Sequence, residues 1–474
     1  MISTAWTASI GQERHFGYQR RFPSSAAFNV PIGATWRGPA DLGALEEAIR
    51  AVTARHDTMR SSFGQAGGLL RAQPQPESAI PVTRHDLRGL GSDAARGAAL
   101  AEIGATEAAT PFDLSGEPAT RAHLVRLADD EAALVLNVHH VSFDGWSSPV
   151  FFAELADQYR ARTEGRPARR SEPEDVYADF AMAQRKRLRA GGYDAQLGFW
   201  RDALARPAPP ASWPDDGRDP GAPWWAGDMA WASVPQDLVA AVRDAATAAR
   251  TTLFGWTLAV FQVALHRFLD ARAVGVGTPY AARADPRWQE LVGFFANTLV
   301  MGSELDGGET FAEAVARCRA ATMLGHQQQD VPFGVVIDAL KPPVEPDRTP
   351  YFQAMFIVQN TPLPPAEFGG LRLRTTKIVT GSARYDMTFC LGWRRGELAL
   401  ELETRPALLG QEAAVRFARL FFGLLAASVH DPDTKVGRAE PEPVPIGVRR
   451  GRERAPGVDG LFEGLVGDWR KVIT

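Results

Sequence analysis

Cysteine is almost absent: Cys318 and Cys390 are the two in 474 residues. That excludes a disulfide framework and a cysteine-built metal site. A dominant charge is missing too, since 52 Lys and Arg against 56 Asp and Glu leave a net charge of −4. Such a balance argues against nucleic acid as the main partner, although local basic patches for an acidic partner stay open. No apolar run approaches the roughly 18 residues needed to span a bilayer. The opening stretch, "MISTAWTASIGQERHFGYQRRF", has neither the continuous apolar core nor the cleavage pattern of a secretion signal. H-E-x-x-H and G-x-S-x-G are also lacking, which removes the zincin helix and the serine elbow. The expectation is a soluble, cytoplasmic protein that needs neither a membrane nor nucleic acid, its thiols reduced.

What is present is ordinary globular material, 45% hydrophobic and 23% charged. The length exceeds one hydrophobic core, so two lobes are expected. Leu42, Leu45, Ile49 and Val52 recur at helical spacing and predict an amphipathic helix over 40–63. "AALVLNVHH" (132–140) is a Val/Leu-rich run that predicts a buried strand. Helical patterning resumes over 148–165 and ends at Gly165. After a Pro/Gly/Asp-rich stretch at 205–224, read as a surface loop or linker, residues 251–269 predict an apolar helix and 273–283 a strand entering a turn. Two αβ lobes joined near 170–225 follow. From about 436 the composition becomes that of a flexible linker, and its last segment, "LFEGLVGDWRKVIT", could form a short docking helix.

The most informative stretch is "NVHHVSFDGWSS" (137–148), at a strand-to-helix junction of the kind that opens on a cleft. Adjacent residues on a strand face opposite ways, so His139 and His140 cannot readily share a metal, and no metal is expected. A neutral imidazole at such a strand end can take a proton from an amine or hydroxyl. Asp144 could fix local geometry or hold a cation, and Gly145 permits close backbone approach. Spacing alone leaves this reading level with the plainer one, in which both histidines satisfy buried hydrogen bonds. Ser142, Ser147 and Ser148 lie nearby, but without an elbow a covalent acyl-serine route has no support, so transfer would be direct.

"HHVSFDG" resembles the H-H-x-x-x-D-G motif of the condensation domains of nonribosomal peptide synthetases, in the superfamily that includes chloramphenicol acetyltransferase. Other segments resemble that family in order. "SIGQERHF" (9–16) is similar to S-x-x-Q-x-R-L-W through Ser9, Gln12 and Arg14. "RHDTMRSSF" (55–63) resembles R-H-E-x-L-R-T-x-F, and "VGFFANTLV" (292–300) resembles V-G-x-F-x-N-T-L. "PFDLSGEPATRAHLVRL", "YADFAMAQR", "LGFWRDAL", "QDVPF" and "RYDMTF" look like the remaining segments, so the resemblance spans about residues 5–430.

The resemblance implies an α/β (α+β) fold of two chloramphenicol-acetyltransferase-like lobes, a V-shaped pseudo-dimer with a central tunnel. Residues 1–175 would form the first lobe, 176–225 the linker helices and loop, 226–435 the second lobe and 436–474 a tail. It implies an acyltransferase that joins a carrier-bound acyl or aminoacyl thioester to an amine or hydroxyl. His140 would be catalytic, His139 a loop support, and Asp144 the partner of Arg283 from the second lobe. Gly145 would give access to the thioester or its arm, and Trp146, Ser147 and Asn297 would be nearby lining residues. Asn297 has a plainer reading as a backbone cap. Arg55, His56, Asp57 and Arg60 would form a polar network, and Gln329, Asp330 and Pro332 loop architecture.

No cofactor is expected to bind the chain itself; the phosphopantetheine arm would come on an acyl or peptidyl carrier protein. The acceptor would be a small molecule or a second carrier, with adjacent synthetase domains as further partners. Departures from the pattern include "AAR" (281–283) in place of a common G-R, Gln328 where histidine is frequent, and no arginine after N-T-L-x-x. The intact histidine pair is unlike cyclisation domains and inert recruitment domains, and "WSSPVFFAEL" is unlike epimerisation domains. Two alternatives remain: a starter-type O- or N-acyltransferase, and a non-catalytic scaffold for carrier proteins. Neither a carrier attachment site nor adenylation motifs are found, so the chain reads as a free-standing enzyme or an excised module.

Overall fold

The computed structural model describes residues 5–168, 176–343, 348–361, 367–368, 370–394 and 396–450. The chain opens with β1 (Trp6–Thr7) and α1 (Ile10–Arg21). Ser9 starts α1 because its hydroxyl accepts from Gln12 N while the Gln12 side chain accepts from Ser9 N, a capping box. After β2 (Asn29–Arg37) comes α2 (Leu42–Arg55), capped by Asp41 and burying Leu45, Ala48, Ile49 and Val52. The helical pattern read over 40–63 therefore stops eight residues early. His56 leaves helical geometry at ψ 86° because its ring is tied elsewhere, and Asp57–Arg60 form a 3₁₀ turn into a strand.

That strand is β3 (Ser61–Ala66), followed by β4 (Leu69–Pro74), β5 (Val82–Asp86), α3 (Asp93–Ala109), β6 (Thr120–Ala128) and β7 (Glu131–His139). α4 (Ser147–Thr163) closes the lobe. β7 lies between β2 and β6, and its period-two alternation is visible in its packing. Leu134, Leu136 and Val138 join the core made with α2 and α4, whereas Ala133 and Val135 pack with Leu100 of α3. Burial on both faces explains why the run reads as continuously apolar.

α5 (Tyr177–Arg189) and α6 (Asp194–Ala203) lead into the second lobe. It contains β8 (Asp228–Ser233), α7 (Gln236–Ala248), α8 (Leu253–Leu269), β9 (Ala273–Tyr280), β10 (Asn297–Glu304), α9 (Phe311–Gln327), α10 (Phe333–Leu340) and β11 (Ala354–Gln359). β12 (Glu367–Phe368), β13 (Leu371–Lys377), β14 (Met387–Arg394), β15 (Glu397–Thr404), α11 (Gln411–His430) and β16 (Arg449–Arg450) complete it. Among the described residues its sheet runs β10-β9-β11-β14-β15-β8-β16, cored by Phe261, Phe389, Phe417 and Phe421. By length and composition α11 could cross a membrane, but its apolar window is 67% buried in this core.

Two features differ from a simple linear division of the chain. β12 and β13 leave the second lobe and join the first, whose sheet runs β12-β13-β2-β7-β6-β5, so 226–435 is not one contiguous lobe. β13 pairs antiparallel with β2 from Lys377↔Ile32 to Arg372↔Arg37 and so covers an edge that would otherwise be open. The segments read as linkers are also pinned. Trp213 is buried and its indole N–H donates to Asp386 at 3.0 Å. Val436 and Ile446 are buried, and Val436 N donates to Glu309 O at 2.8 Å. The segment "LFEGLVGDWRKVIT" lies outside the described residues.

The turn after β9 carries a local conflict. Ala282 has φ +52°, a left-handed conformation that costs a non-glycine residue about 1–2 kcal/mol, and it occupies the glycine place of the G-R pattern. Ala282→Gly is expected to raise stability by up to about 1 kcal/mol after its backbone-entropy cost, read as an increase of a degree or two in melting temperature. An unchanged or lowered melting temperature would show that the turn is not strained.

Candidate active site

The site lies where the β7–α4 junction meets the loops that follow β9. Asp144 and Arg283 are 2% and 5% exposed, and Arg283 Nη2 donates to Asp144 Oδ1 at 2.9 Å. Such a pair needs its remaining valences satisfied to repay desolvation, and those of the carboxylate are, although the buried Arg283 Nε finds no acceptor among the described residues. Asp144 Oδ1 accepts from Ser147 N at 2.9 Å and from the Ser147 hydroxyl at 2.8 Å, and Oδ2 accepts from Phe295 N at 3.1 Å. Arg283 Nη1 donates to the Trp288 and Leu291 carbonyls, and its guanidinium lies 4.0 Å from the Phe295 ring centroid. Burial lowers the Arg283 pKa and Asp144 opposes that shift.

Two further bonds stitch the same seam. Gly293 N donates to Ser147 Oγ at 3.1 Å, and the Trp146 indole N–H donates to Gln289 O at 3.0 Å. On the other side, α1 supports the loop after β7: Gln12 Nε2 donates to Val141 O at 3.1 Å. The structure brings Asp144, Arg283 and Ser147 into one network, with Trp146 beside it. The sequence reading treated Ser147 as a lining residue, but the structure makes it a buried part of the Asp144 network.

The two histidines face different ways. His139 is fully buried; its Nδ1 accepts from Val141 N at 3.1 Å, so Nε2 carries the proton and donates to Gln19 Oε1 at 3.3 Å. Both nitrogens are engaged within the protein. His140 is partly exposed, and its backbone N–H donates to Phe28 O at 2.7 Å. Its Nδ1 is buried without a hydrogen-bonding partner in any other described residue. Among the described residues no carboxylate backs this ring. Instead it packs against Phe294 (5.2 Å between centroids), Phe28 (6.2 Å) and His15 (5.3 Å).

His15 was not singled out from the sequence, although the signal was there: it stands where the S-x-x-Q-x-R-L-W pattern has leucine. Gly11, one turn earlier, lets α1 approach Phe294, since an added Cβ would lie 2.5 Å from that ring. His15 Nδ1 donates to Gly11 O at 2.8 Å, leaving Nε2 as the lone-pair nitrogen. Burial pushes the His15 pKa down to about 3, and burial first, then the Arg384 charge, pushes His140 well below the usual imidazole range. His139 is lowered mainly by burial. All three rings are therefore neutral at physiological pH.

Gly145 is exposed and lacks a left-handed φ, and an added Cβ would meet ordinary contacts, 3.6 Å from Gln359 Nε2. No described residue demands glycine there. Asn297 lies elsewhere in the fold's service: its amide donates to the Gln329 and Val331 carbonyls at 2.7 Å and accepts from Phe333 N at 2.9 Å. That matches its plainer reading as a backbone cap. His56 bridges Glu154 Oε2 (2.9 Å) and Val292 N (3.3 Å), with Arg55 also on Glu154 and Arg60 paired with Asp57. Among the described residues no group of three metal-ligating side chains occurs.

Two mixed sheets thus meet at a seam that carries one partly exposed histidine, His140. The sequence model described as "Condensation domain" matches residues 3–441, and the chain belongs to that family. A linear gramicidin synthase polypeptide of Brevibacillus parabrevis is 32% identical over 434 residues, which cover 91% of this chain and 8% of that protein. The chain thus spans a small fraction of that synthase. Among solved structures, the X-domain from teicoplanin biosynthesis superposes with a TM-score of 0.81 at 24% identity, over 92% of this chain and 97% of that one. The first condensation domain of the calcium-dependent antibiotic synthetase, solved with a substrate analogue, gives 0.78 at 20%, over 93% and 99%. These structural likenesses establish the shared fold.

Two outcomes follow from the seam and its histidines. Asp144→Ala strands Arg283 as a buried cation and is expected to cost about 3–5 kcal/mol of stability as well as activity; an unchanged melting temperature with lost activity would move Asp144 into the chemistry. The depressed histidines bind fewer protons folded than unfolded once pH drops below about 6.5, so stability falls with pH there. His15→Leu is expected to flatten the slope of stability between about pH 6 and 4 by about 1.4 kcal/mol per pH unit. An unaltered slope would mean His15 is not held neutral.

Proposed function

We propose that this chain condenses a carrier-bound acyl or aminoacyl thioester with an amine or hydroxyl, releasing the carrier thiol. The observation that carries the reading is His140: a neutral, partly exposed imidazole held by ring packing at the seam, in a chain of the condensation domain family. The acceptor nitrogen or oxygen attacks the thioester carbonyl, the new C–N or C–O bond forms, and the C–S bond breaks. The proton leaves the nucleophile through His140 and ends on the departing thiolate. A base with a depressed pKa does not hold that proton at rest. It accepts a hydrogen bond from the incoming nucleophile and passes the proton on, which suits a direct transfer.

In this reading His139 and Asp144 are architecture. His139 spends both nitrogens on the loop, and Asp144 ties the loop to the far lobe. Gly145 provides room: because the fold itself does not need a glycine there, the open space is left for the thioester and its phosphopantetheine arm, delivered by a carrier protein of the same assembly. The arm supplies the activated acyl group, and the channel it would follow is the family's tunnel between lobes. Trp146 and Ser147 act indirectly, by holding the seam. The two free thiols, Cys318 and Cys390, suit work in the cytoplasm.

The test is turnover with acyl-loaded carrier and candidate acceptors. His140→Ala is expected to bind the carrier normally and to lower product formation by about 10²-fold or more. If wild type forms product no faster than this variant, His140 is not the proton-handling group and a scaffold for carrier proteins becomes the better description.

A further inference from the structure

Arg384 near His140 and Arg14 beside His15 have no anionic partner among the described residues. Arg384, just before β14, is partly buried. Its Nε donates to Ala27 O at 2.7 Å, and its guanidinium lies 5.2 Å from the Phe28 ring, which in turn packs on His140. Its two terminal nitrogens meet no hydrogen-bond acceptor among the described residues. Arg14, on α1, reaches across to the second lobe, where its guanidinium lies 4.7 Å from the Phe333 ring. It too lacks a hydrogen bond or an ion pair among the described residues, but it is exposed to solvent. The charges of both act on His15 and Tyr385, and that of Arg384 also on His140.

The neighbouring acid does not close this gap. Glu403 partly offsets the Arg384 charge but forms no ion pair with it, and its own carboxylate faces Thr388 at 3.5 Å. Crowding by protein lowers the pKa of both arginines, yet both stay charged. Elsewhere in this chain enclosed guanidiniums are paired: Arg283 with Asp144, and Arg348 and Arg405 with Asp386. A partly buried cation such as Arg384, left unpaired beside His140, is a costly arrangement unless an anion arrives with the substrate. Guanidinium groups, with their forked donors, suit a carboxylate.

We infer that Arg384 and Arg14 bind a free carboxylate on the substrate, with Arg384 the principal contact. The inference rests on the transferase reading above. A carrier-delivered substrate has spent its reacting carboxyl in the thioester. A carboxylate held next to His140 therefore belongs most simply to an acceptor that arrives untethered, an amino acid with its carboxyl free. Its amine would face His140 while its carboxylate meets the two guanidiniums. The other source of the same chemistry is an acidic side chain on the donor acyl group.

The experiment uses the full chain with acyl N-acetylcysteamine thioesters as donors, both neutral (acetyl to octanoyl, aminoacyl) and acidic (succinyl, glutaryl). Acceptors are free amino acids, their carboxamides, and the same aminoacyl groups loaded on a carrier protein. Free amino acids are expected to exceed their carboxamides by about 10-fold or more in kcat/KM. Arg384→Gln is expected to abolish that preference chiefly through KM, Arg14→Gln to weaken it, and Arg384→Lys to restore part of it. A preference that instead follows the succinyl and glutaryl donors, and is lost in Arg384→Gln, keeps the carboxylate contact and assigns it to the donor. Equal rates for acids and carboxamides, or a preference untouched by Arg384→Gln, overturn the inference. Product from carrier-loaded acceptors alone overturns it too, while leaving the transferase reading intact. No product from any pairing removes the transferase reading and this inference with it.

Discussion

The buried pairing of Asp144 with Arg283 is the constraint on which the site depends. It joins a loop of the first lobe to a loop of the second, at 2% and 5% exposure, and every remaining valence of the carboxylate is taken up by Ser147 or Phe295 N. A charge pair at such depth contributes little net stability but makes its own disruption expensive. Its value is positional. The β7–α4 junction cannot shift without stranding a charge, and so His140, which no carboxylate holds, is fixed by its surroundings. The second lobe has a comparable hub, in which Asp386 gathers Trp213, Arg348 and Arg405. That hub pins the inter-lobe loop, so both lobes anchor chain segments to a buried carboxylate.

Packing does for His140 what a hydrogen-bonded acid does in a serine-type triad. Phe294, Phe28 and His15 bracket the ring, and Gly11 sets the distance of α1. Helix α1 is held by its capping box and by Ser9 Oγ against Tyr177 Oη at 2.9 Å. Orientation by apolar rings costs no second charge in a crowded site. The same crowding lowers the pKa of the imidazole, so orientation and neutrality have one physical cause.

Legibility followed the range of the interactions. β7 and α8 could be read from the sequence because burial and periodicity are local properties of a run. The end of α2 could not, because His56 leaves the helix for partners at Glu154 and Val292, 98 and 236 residues away. The crossing of β12 and β13 into the first sheet was hidden for the same reason: nothing in "LRLRTTK" says which sheet it completes. Asp144 and Arg283 were found through motif order, 139 residues apart. His15 was overlooked because its one signal, a histidine at the leucine place of the opening pattern, gains meaning only once Phe28, Phe294 and His140 are seen around it.

The distribution of charge around His140 carries the synthesis one step further. A base flanked by cations is a weak base, and evolution of a stronger one would need only a carboxylate within reach, as Glu154 is for His56. Among the described residues no carboxylate reaches the His140 ring, and the charge of Arg384 acts on it. A thioester is already activated, so its aminolysis needs little help from a strong base and gains more from holding the nucleophile in line with the carbonyl. Cations also favour negative charge as it develops on the carbonyl oxygen. A weak, neutral, well-oriented imidazole in a positive field is therefore matched to an activated acyl donor, and it would serve an unactivated carboxylic acid or amide poorly.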